Sequence, residues 1–270
     1  MPELPEVETT RRGIEPHILG RQISAVEVRQ SRLRYPVPAD LARKLTGKTV
    51  RSVTRRGKYL LLDTGGLQLL IHLGMSGSLR ITDSSQPPRK HDHLDIRFGD
   101  KLLRFHDPRR FGLVLLLDAA PEEHALLASL GPEPLSEAFD TDYLYRLSRH
   151  RKVAIKNLIM NSHVVVGVGN IYASEALFLS GIHPARAAQR ISRARYAKLV
   201  QAIRKVLQQA IDEGGTTLRD FVREQGQPGY FARRLNVYGK AGDACPRCGS
   251  VILTRTIGQR SSFYCSRCQK

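Results

Sequence analysis

The run "KTVRSVTRRGKYLLLDT" (Lys48–Thr64), followed after two glycines by "LQLLIHLG" (Leu67–Gly74), sets the fold of the first half of this chain. Both stretches are short, rich in branched and apolar residues, and bounded by Gly and Asp turns, as strands are. "QISAVEVRQS", "HLDIRF", "KLLRFHD" and "FGLVLLLD" repeat the pattern. Several alternate in polarity, which is how a strand with one buried face reads. Strands in series with few helices between them predict a sandwich or barrel. "LGPEPLSEAF" (Leu130–Phe139), with two prolines and a glycine, interrupts the series and reads as a hinge. Helices follow: "EALFLSG" ends at Gly181, and "ISRARYAKLVQAIRKVLQQAIDEGG" puts Leu199, Ile203, Val206 and Ile211 near one face before stopping at Gly214-Gly215. The tail is short, turn-rich and cysteine-bearing. Strands first and helices after is the order of the α+β class, and the length suits two domains of ordinary size or one large one.

Its 270 residues, 41% of them hydrophobic, suffice for real cores. A net charge of +18 and a pI near 10.2 repel the chain from itself, and the common use of such charge is attraction to a polyanion. Nucleic acid is the leading partner and an anionic membrane the alternative. No apolar run reaches the roughly 18 residues that span a bilayer, and no signal-peptide core is present, so a cytoplasmic protein is expected. The basic residues are spread over "TRRG", "TRRGKY", "HDPRRFG", "RLSRHRKVAIK" and "RISRARYAK". That distribution suits a folded domain with a positive face better than a disordered arm.

All four cysteines lie in the tail as "CPRC", sixteen residues, then "CSRC". This is the spacing of a four-thiolate zinc site with Cys245, Cys248, Cys265 and Cys268 as ligands. Two disulfides are the alternative, disfavoured in a cytosolic chain with no other cysteine. Four protein ligands leave no position for water, so the zinc is structural, and roughly 10–16 kcal/mol of binding free energy is available to fold a segment too small for its own core. Between the pairs, "SVILTRTIGQRSSFY" reads as strand, turn, strand, with Arg260 at the turn.

"VVVGVGNIYASEALF" lacks both the Gly-Lys-Ser/Thr of a P-loop and the third glycine of a dinucleotide fold. What remains is a tight turn at Gly167–Gly169 and a helix starting near Asn170. Its backbone N–H groups suit a DNA phosphate, and a plain N-cap inside a helix-turn-helix fits equally.

At the other end, "PEVETTRRG" has the marks of a helix: Pro5 in the first turn, Glu6 and Glu8 early, Arg11 and Arg12 late, Gly13 as terminator. Loss of the initiator methionine would leave Pro2 as a free secondary amine just before the helix start, where the positive dipole end disfavours an ammonium. Roughly one terminal amine in seven is already neutral at pH 7, against roughly one lysine in 2,500. Such an amine is a ready nucleophile, with Glu3 beside it to move protons. A plain capped helix is the other reading of the same residues.

"MPELPEVET", "KYLLLDT", "HLGMSGSL", "KHDH", "DPRRFG", "VVGVGNIYASEALF", "GIHP", "GGTTLRDF" and "QRSSFYCSRC", in this order along essentially the whole chain, resemble bacterial formamidopyrimidine-DNA glycosylase. The resemblance implies an N-terminal β-sandwich with a flanking helix, and a C-terminal helical domain with a helix-two-turn-helix and a four-cysteine zinc β-hairpin. It places a catalytic domain at 1–130, a hinge at 131–139, a DNA-binding helical domain at 140–235 and a zinc hairpin at 236–270. It also implies excision of oxidised purines such as 8-oxoguanine and formamidopyrimidines, then strand cleavage by β,δ-elimination. Pro2 matches the nucleophile, Glu3 the acid/base carboxylate, Lys58 an essential lysine and Arg260 the arginine at the eliminated phosphate; Glu6 matches a supporting carboxylate.

The family everts the damaged nucleotide, as chemistry on a stacked base requires, and fills the hole with side chains matching Met75, Arg109 and Phe111. His72, His91, Arg151, Lys156 and Asn170 are the expected phosphate contacts. "TTLRDFVREQGQPGYF" (Thr216–Phe231), with Gly226 and Gly229 as pivots, matches the flap over the everted base. The related endonuclease eight family also begins Met-Pro-Glu but usually has glycine next and prefers oxidised pyrimidines; Leu4 fits the purine branch. The expected cofactor is one structural zinc, the partner damaged double-stranded DNA, the state a monomer, and the location the bacterial cytoplasm, at the nucleoid when bound to DNA.

Overall fold

The computed structural model describes residues 2–215 and 235–270, so the flap expected over Thr216–Phe231 lies outside the described residues. The described chain forms two compact units, one of residues 2–129 with 213–215, the other of 130–212 with 235–270.

The first unit begins with helix α1 (Leu4–Ile18), then strand β1 (Ala25–Val28) and a short helix α2 (Leu41–Leu45). Strands β2 (Ser52–Arg56), β3 (Tyr59–Asp63), β4 (Gln68–His72), β5 (Ser78–Asp83), β6 (Asp92–Phe98), β7 (Lys101–His106) and β8 (Leu113–Leu117) follow, and a single turn of helix, α3 (Ala125–Ala128), ends the unit. The strands make two four-stranded antiparallel sheets, ordered β1-β6-β7-β5 and β2-β3-β4-β8. Leu60, Leu62, Leu69 and Ile71 of one sheet and Leu94, Ile96, Leu103 and Phe105 of the other share a single apolar core, the interior of a β-sandwich. Strand β5 is absent from the strands expected from sequence; only Leu79 of its six residues is fully buried, so its polarity pattern is faint.

Helix α1 flanks the sandwich and corrects one expectation, because it runs through Gly13 to Ile18. Val7, Ile14 and Ile18 lie on one helical face and enter the sandwich core. Burying two isoleucines contributes about 1.5–3 kcal/mol each, against about 1 kcal/mol lost to a mid-helix glycine. Burial wins, and the helix continues. Several of the basic residues near it are already partnered: Glu8 accepts from Arg11, Arg12 and Arg55 at 2.8–3.2 Å. Burial pushes the Glu8 carboxyl up, but these arginines outweigh it and hold it below the usual range.

The second unit holds helices α4 (Thr141–Ser148), α5 (Ile155–Met160), α6 (Asn170–Leu179) and α7 (Arg193–Asp212), then a hairpin of strands β9 (Leu253–Ile257) and β10 (Arg260–Tyr264). Helix α6 is buried on every side from Ile171 to Phe178, while α7 buries Leu199, Ile203, Val206 and Ile211 on one face. The α5–α6 pair with its 161–169 connection is the helix-two-turn-helix. Among the described residues no helix is long and apolar enough to cross a membrane.

Candidate active site and nucleic-acid interface

Glu3 caps α1 in extended conformation (φ −103°, ψ −170°), so Pro2 and Glu3 stand at the positive end of the helix dipole. Both are buried. The Glu3 N–H donates to Glu6 Oε2 at 2.8 Å. Glu6 thereby fixes the backbone at Glu3, next to Pro2.

Lys58 is the second residue of the two-residue Gly57-Lys58 turn joining β2 to β3, directly before the Tyr59–His72 cross-strand pair. The Tyr59 and His72 rings lie 4.9 Å apart. Burial, then the charges of Lys58 and Arg34, lower the His72 pKa from its ordinary value to about 4. His72 Nδ1 accepts the Gly74 N–H at 2.9 Å, which leaves the proton of the neutral ring on Nε2, a donor suited to a phosphate oxygen. Because the folded value is depressed, the unfolded chain takes up the proton first as pH falls. The stability contributed by neutral His72 is present above about pH 6.5 and lost on the way down to about 4. Unfolding free energy should fall by about 2 kcal/mol from this group between pH 7.5 and 5. Denaturant melts of wild type and His72→Gln at both pH values check this; an equal slope with pH in the two would contradict it.

The loop after β4 carries Met75, partly buried, and the turn after β7 carries Arg109 and Phe111, both exposed. The Arg109 guanidinium lies over the Phe111 ring at 5.0 Å, and Phe111 is 47% exposed, unusual for a phenylalanine. A Cβ on Gly74 would sit 2.4 Å from the Gly112 nitrogen and from the Phe111 carbonyl carbon, so the two loops touch backbone to backbone. The fold thus brings the three expected wedge residues into one place. His91 lies in the turn just before β6 with φ 73°, its ring 6.1 Å from those of His93 and His106.

In the second unit the hairpin tip is a two-residue turn, Gly258 (φ 57°) and Gln259 (φ 60°), the paired positive angles of a type I′ turn. Arg260 follows immediately and is exposed. The next backbone carbonyl, Ser261 O, accepts from Lys156 Nζ at 3.0 Å and Asn170 Nδ2 at 3.1 Å, and Lys156 also donates to Ser262 Oγ at 2.6 Å. Lys156 is fully buried; the ammonium expected at a phosphate here reaches the hairpin beside Arg260. Arg151 is exposed just after α4. Two supporting residues escaped the sequence reading. Asn157 packs against the hairpin tip, 2.4 Å from where a Gly258 Cβ would stand. Glu175, 1% exposed, accepts the backbone N–H groups of Asn236, Val237 and Tyr238 at 2.8–2.9 Å. A lone carboxylate inside the otherwise apolar α6 was the available signal for the latter.

The four cysteines are free of disulfides, and their sulfurs all lie within 4.8 Å of one another. Cys245–Cys268 and Cys248–Cys265 are 3.9 and 3.5 Å apart, close to the ~3.8 Å edge of a tetrahedron with ~2.3 Å Zn–S bonds. Burial and the neighbouring sulfurs push the Cys268 thiol up to about 12, while the Ser250 hydroxyl and N–H lower Cys248 to about 6. Sulfurs so crowded need a cation before all can ionise. Around them the apolar packing is slight: Phe178, Val237 and Ile252 complete a core of which two cysteines are members. The residues fit one structural zinc, which supplies folding free energy and no chemistry.

The described residues thus join a β-sandwich with a capped amino-terminal helix, a helix-two-turn-helix and a four-thiolate hairpin in one chain. Family profiles agree along the chain: the formamidopyrimidine-DNA glycosylase N-terminal domain matches residues 1–114, the formamidopyrimidine-DNA glycosylase H2TH domain residues 130–222, and a zinc finger found in FPG and IleRS residues 242–270. Formamidopyrimidine-DNA glycosylases of Thioalkalivibrio sulfidiphilus and Methylococcus capsulatus are 59% and 60% identical over the whole of both chains. A Lactococcus lactis enzyme mutant bound to Fapy-dG-containing DNA is 36% identical with a TM-score of 0.92, covering 100% of each chain. The Thermus thermophilus protein is 38% identical with a TM-score of 0.89, covering 99% of this chain and 98% of its own. The chain belongs to the formamidopyrimidine-DNA glycosylase family.

Proposed function

We propose that this protein excises oxidised purines from duplex DNA and cleaves the resulting abasic site, with Pro2 as nucleophile. Family membership makes it a bifunctional DNA glycosylase and abasic-site lyase of base-excision repair, binding damaged DNA and holding one structural zinc. The observation that carries the residue-level reading is the placement of Pro2 and Glu3 at the positive end of α1, with Glu6 bonded to the Glu3 N–H at 2.8 Å. There, once Met1 is removed, the dipole favours the neutral amine over the ammonium.

The neutral Pro2 nitrogen attacks C1′ of the everted nucleotide; the glycosidic bond breaks and its electron pair leaves with the base. Glu3 moves the protons that open the sugar and leave a Pro2 iminium. Its positive charge acidifies the C2′ proton, and loss of that proton expels the 3′ phosphate. A second elimination expels the 5′ phosphate. Lys58 serves the first stages and Arg260 the phosphate of the last. Met75, Arg109 and Phe111 occupy the vacated stack, where unstacking costs a few kcal/mol per step; Arg109 hydrogen-bonds the orphaned cytosine. His72, His91, Arg151 and Asn170 hold phosphates, with Lys156 steadying the Arg260 strand. Residues 1–130, 140–235 and 236–270 divide the work as catalytic, DNA-binding and zinc modules about a hinge at 131–139. The protein is proposed to act as a monomer, at the bacterial nucleoid when bound to DNA.

Borohydride reduction during incubation with 8-oxoguanine duplex tests the reading. The expected product is a covalent protein–DNA adduct mapping to Pro2. DNA binding with neither adduct nor strand cleavage would identify a non-enzymatic zinc-hairpin DNA-binding protein instead.

A further inference from the structure

We infer that Asp107, a fully buried carboxylate with no place in the chemistry above, is the positioning residue that sets the two wedge loops as one body. Its side chain is 0% exposed. Oδ2 accepts the Gly112 N–H at 2.8 Å and Oδ1 accepts the Ser76 hydroxyl at 3.3 Å. One carboxylate therefore ties the residue after Met75 to the residue after Phe111. Its backbone extends the joint: the Asp107 N–H donates to His91 O at 3.0 Å, and the Asp107 carbonyl accepts from His93 Nε2 at 2.7 Å and from the Arg110 N–H at 3.3 Å. Met75, His91, Arg109 and Phe111 thus hang from one residue.

The glycines explain why a hub is needed. Gly74 (φ 65°) meets Gly112 and Phe111 so closely that no side chain fits between the loops. Apolar packing cannot register them, and hydrogen bonds must. The contacts Asp107 makes are with neutral donors, so its geometry matters more than its charge. Asparagine at 107 keeps an oxygen toward Gly112 and turns its NH₂ to the Ser76 hydroxyl oxygen; alanine leaves a buried N–H without a partner.

The inference rests on the wedge role proposed for the loops, and the experiment separates the two. Wild type, Asp107→Ala, Asp107→Asn and Ser76→Ala are compared on duplex bearing 8-oxoguanine opposite cytosine, and on single-stranded oligonucleotide with a preformed abasic site, which has no stack to fill. Asp107→Ala should lose about 10²-fold in kcat/KM on duplex, the scale of an ångström-level misplacement, with borohydride trapping on the single strand unchanged. Ser76→Ala should show a smaller loss on duplex alone, and Asp107→Asn should be near wild type on both. Amide exchange in the free protein reads the joint without any activity: Asp107→Ala should speed exchange in 74–77 and 109–112 together. Unchanged exchange in either loop, or equal losses on both substrates, would overturn the inference. Failure of wild type to trap on either substrate, with exchange as expected, would instead count against the glycosylase reading.

Discussion

A chain carrying Pro2→Glu should bind lesion-containing duplex and yet neither trap on it under borohydride nor cut it, with activity reduced by at least about 10³-fold, as for loss of a covalent nucleophile. The reason is chemical. A large second residue retains the initiator methionine, so the atom that was an amine becomes an amide nitrogen, which has no basic lone pair for attack on C1′. The displaced terminal amine of Met1 is primary and one residue too far along. Mass spectrometry of the purified chain, run beside the trapping assay, makes the test sharp: methionine retained with nicking undiminished would remove Pro2 from the mechanism. Binding is expected to persist, because the exposed cationic and wedge groups at Arg109, Phe111, Arg151 and Arg260 lie outside α1.

Cys265→Ala should abolish zinc binding and most DNA affinity together. Cys265 is 0% exposed and belongs to the small core formed with Phe178, Val237 and Ile252. Removing it deletes a ligand and a core member at once. The hairpin has five-residue strands and little apolar surface of its own, so the roughly 10–16 kcal/mol supplied by a four-thiolate site is most of what folds it. Once it opens, the Gly258-Gln259 turn no longer aims Arg260, and Lys156 is left as a buried ammonium without the Ser261 and Ser262 acceptors. A thiolate-zinc assay and a DNA titration at fixed salt read the two losses, since affinity depends steeply on ionic strength. A zinc-free variant with full affinity would sink this account.

Both outcomes trace to features plain in the residue order. A free amine before a helix start follows from Pro2, Pro5, Glu6 and Glu8; the thiolate cluster follows from its spacing. Both are local, and local chemistry survives without knowledge of the fold. The strands were legible too, as short branched and apolar runs between turn residues that left a sandwich or a barrel open; their central residues are buried in unbroken runs, as in Leu60–Leu62 and Leu69–Ile71. Where burial is shallow, as in β5, that signal fades. Where burial is strong, it overrides local punctuation: Ile14 and Ile18 carry α1 through Gly13.

The sequence alone therefore determined the class, every strand but β5 and the four clustered cysteines, and through the family resemblance it named Pro2 as the nucleophile to be tested. Only the tertiary structure decided how Met75, Arg109 and Phe111 share one surface through Asp107, how Lys156 is spent beneath the hairpin, and why Glu175 sits buried in an apolar helix. Those facts depend on backbone N–H and C=O groups of residues distant in sequence. Hydrogen bonds to the main chain leave at most a lone polar residue in an apolar run, as at Glu175, and their partners become visible only when the chain is folded.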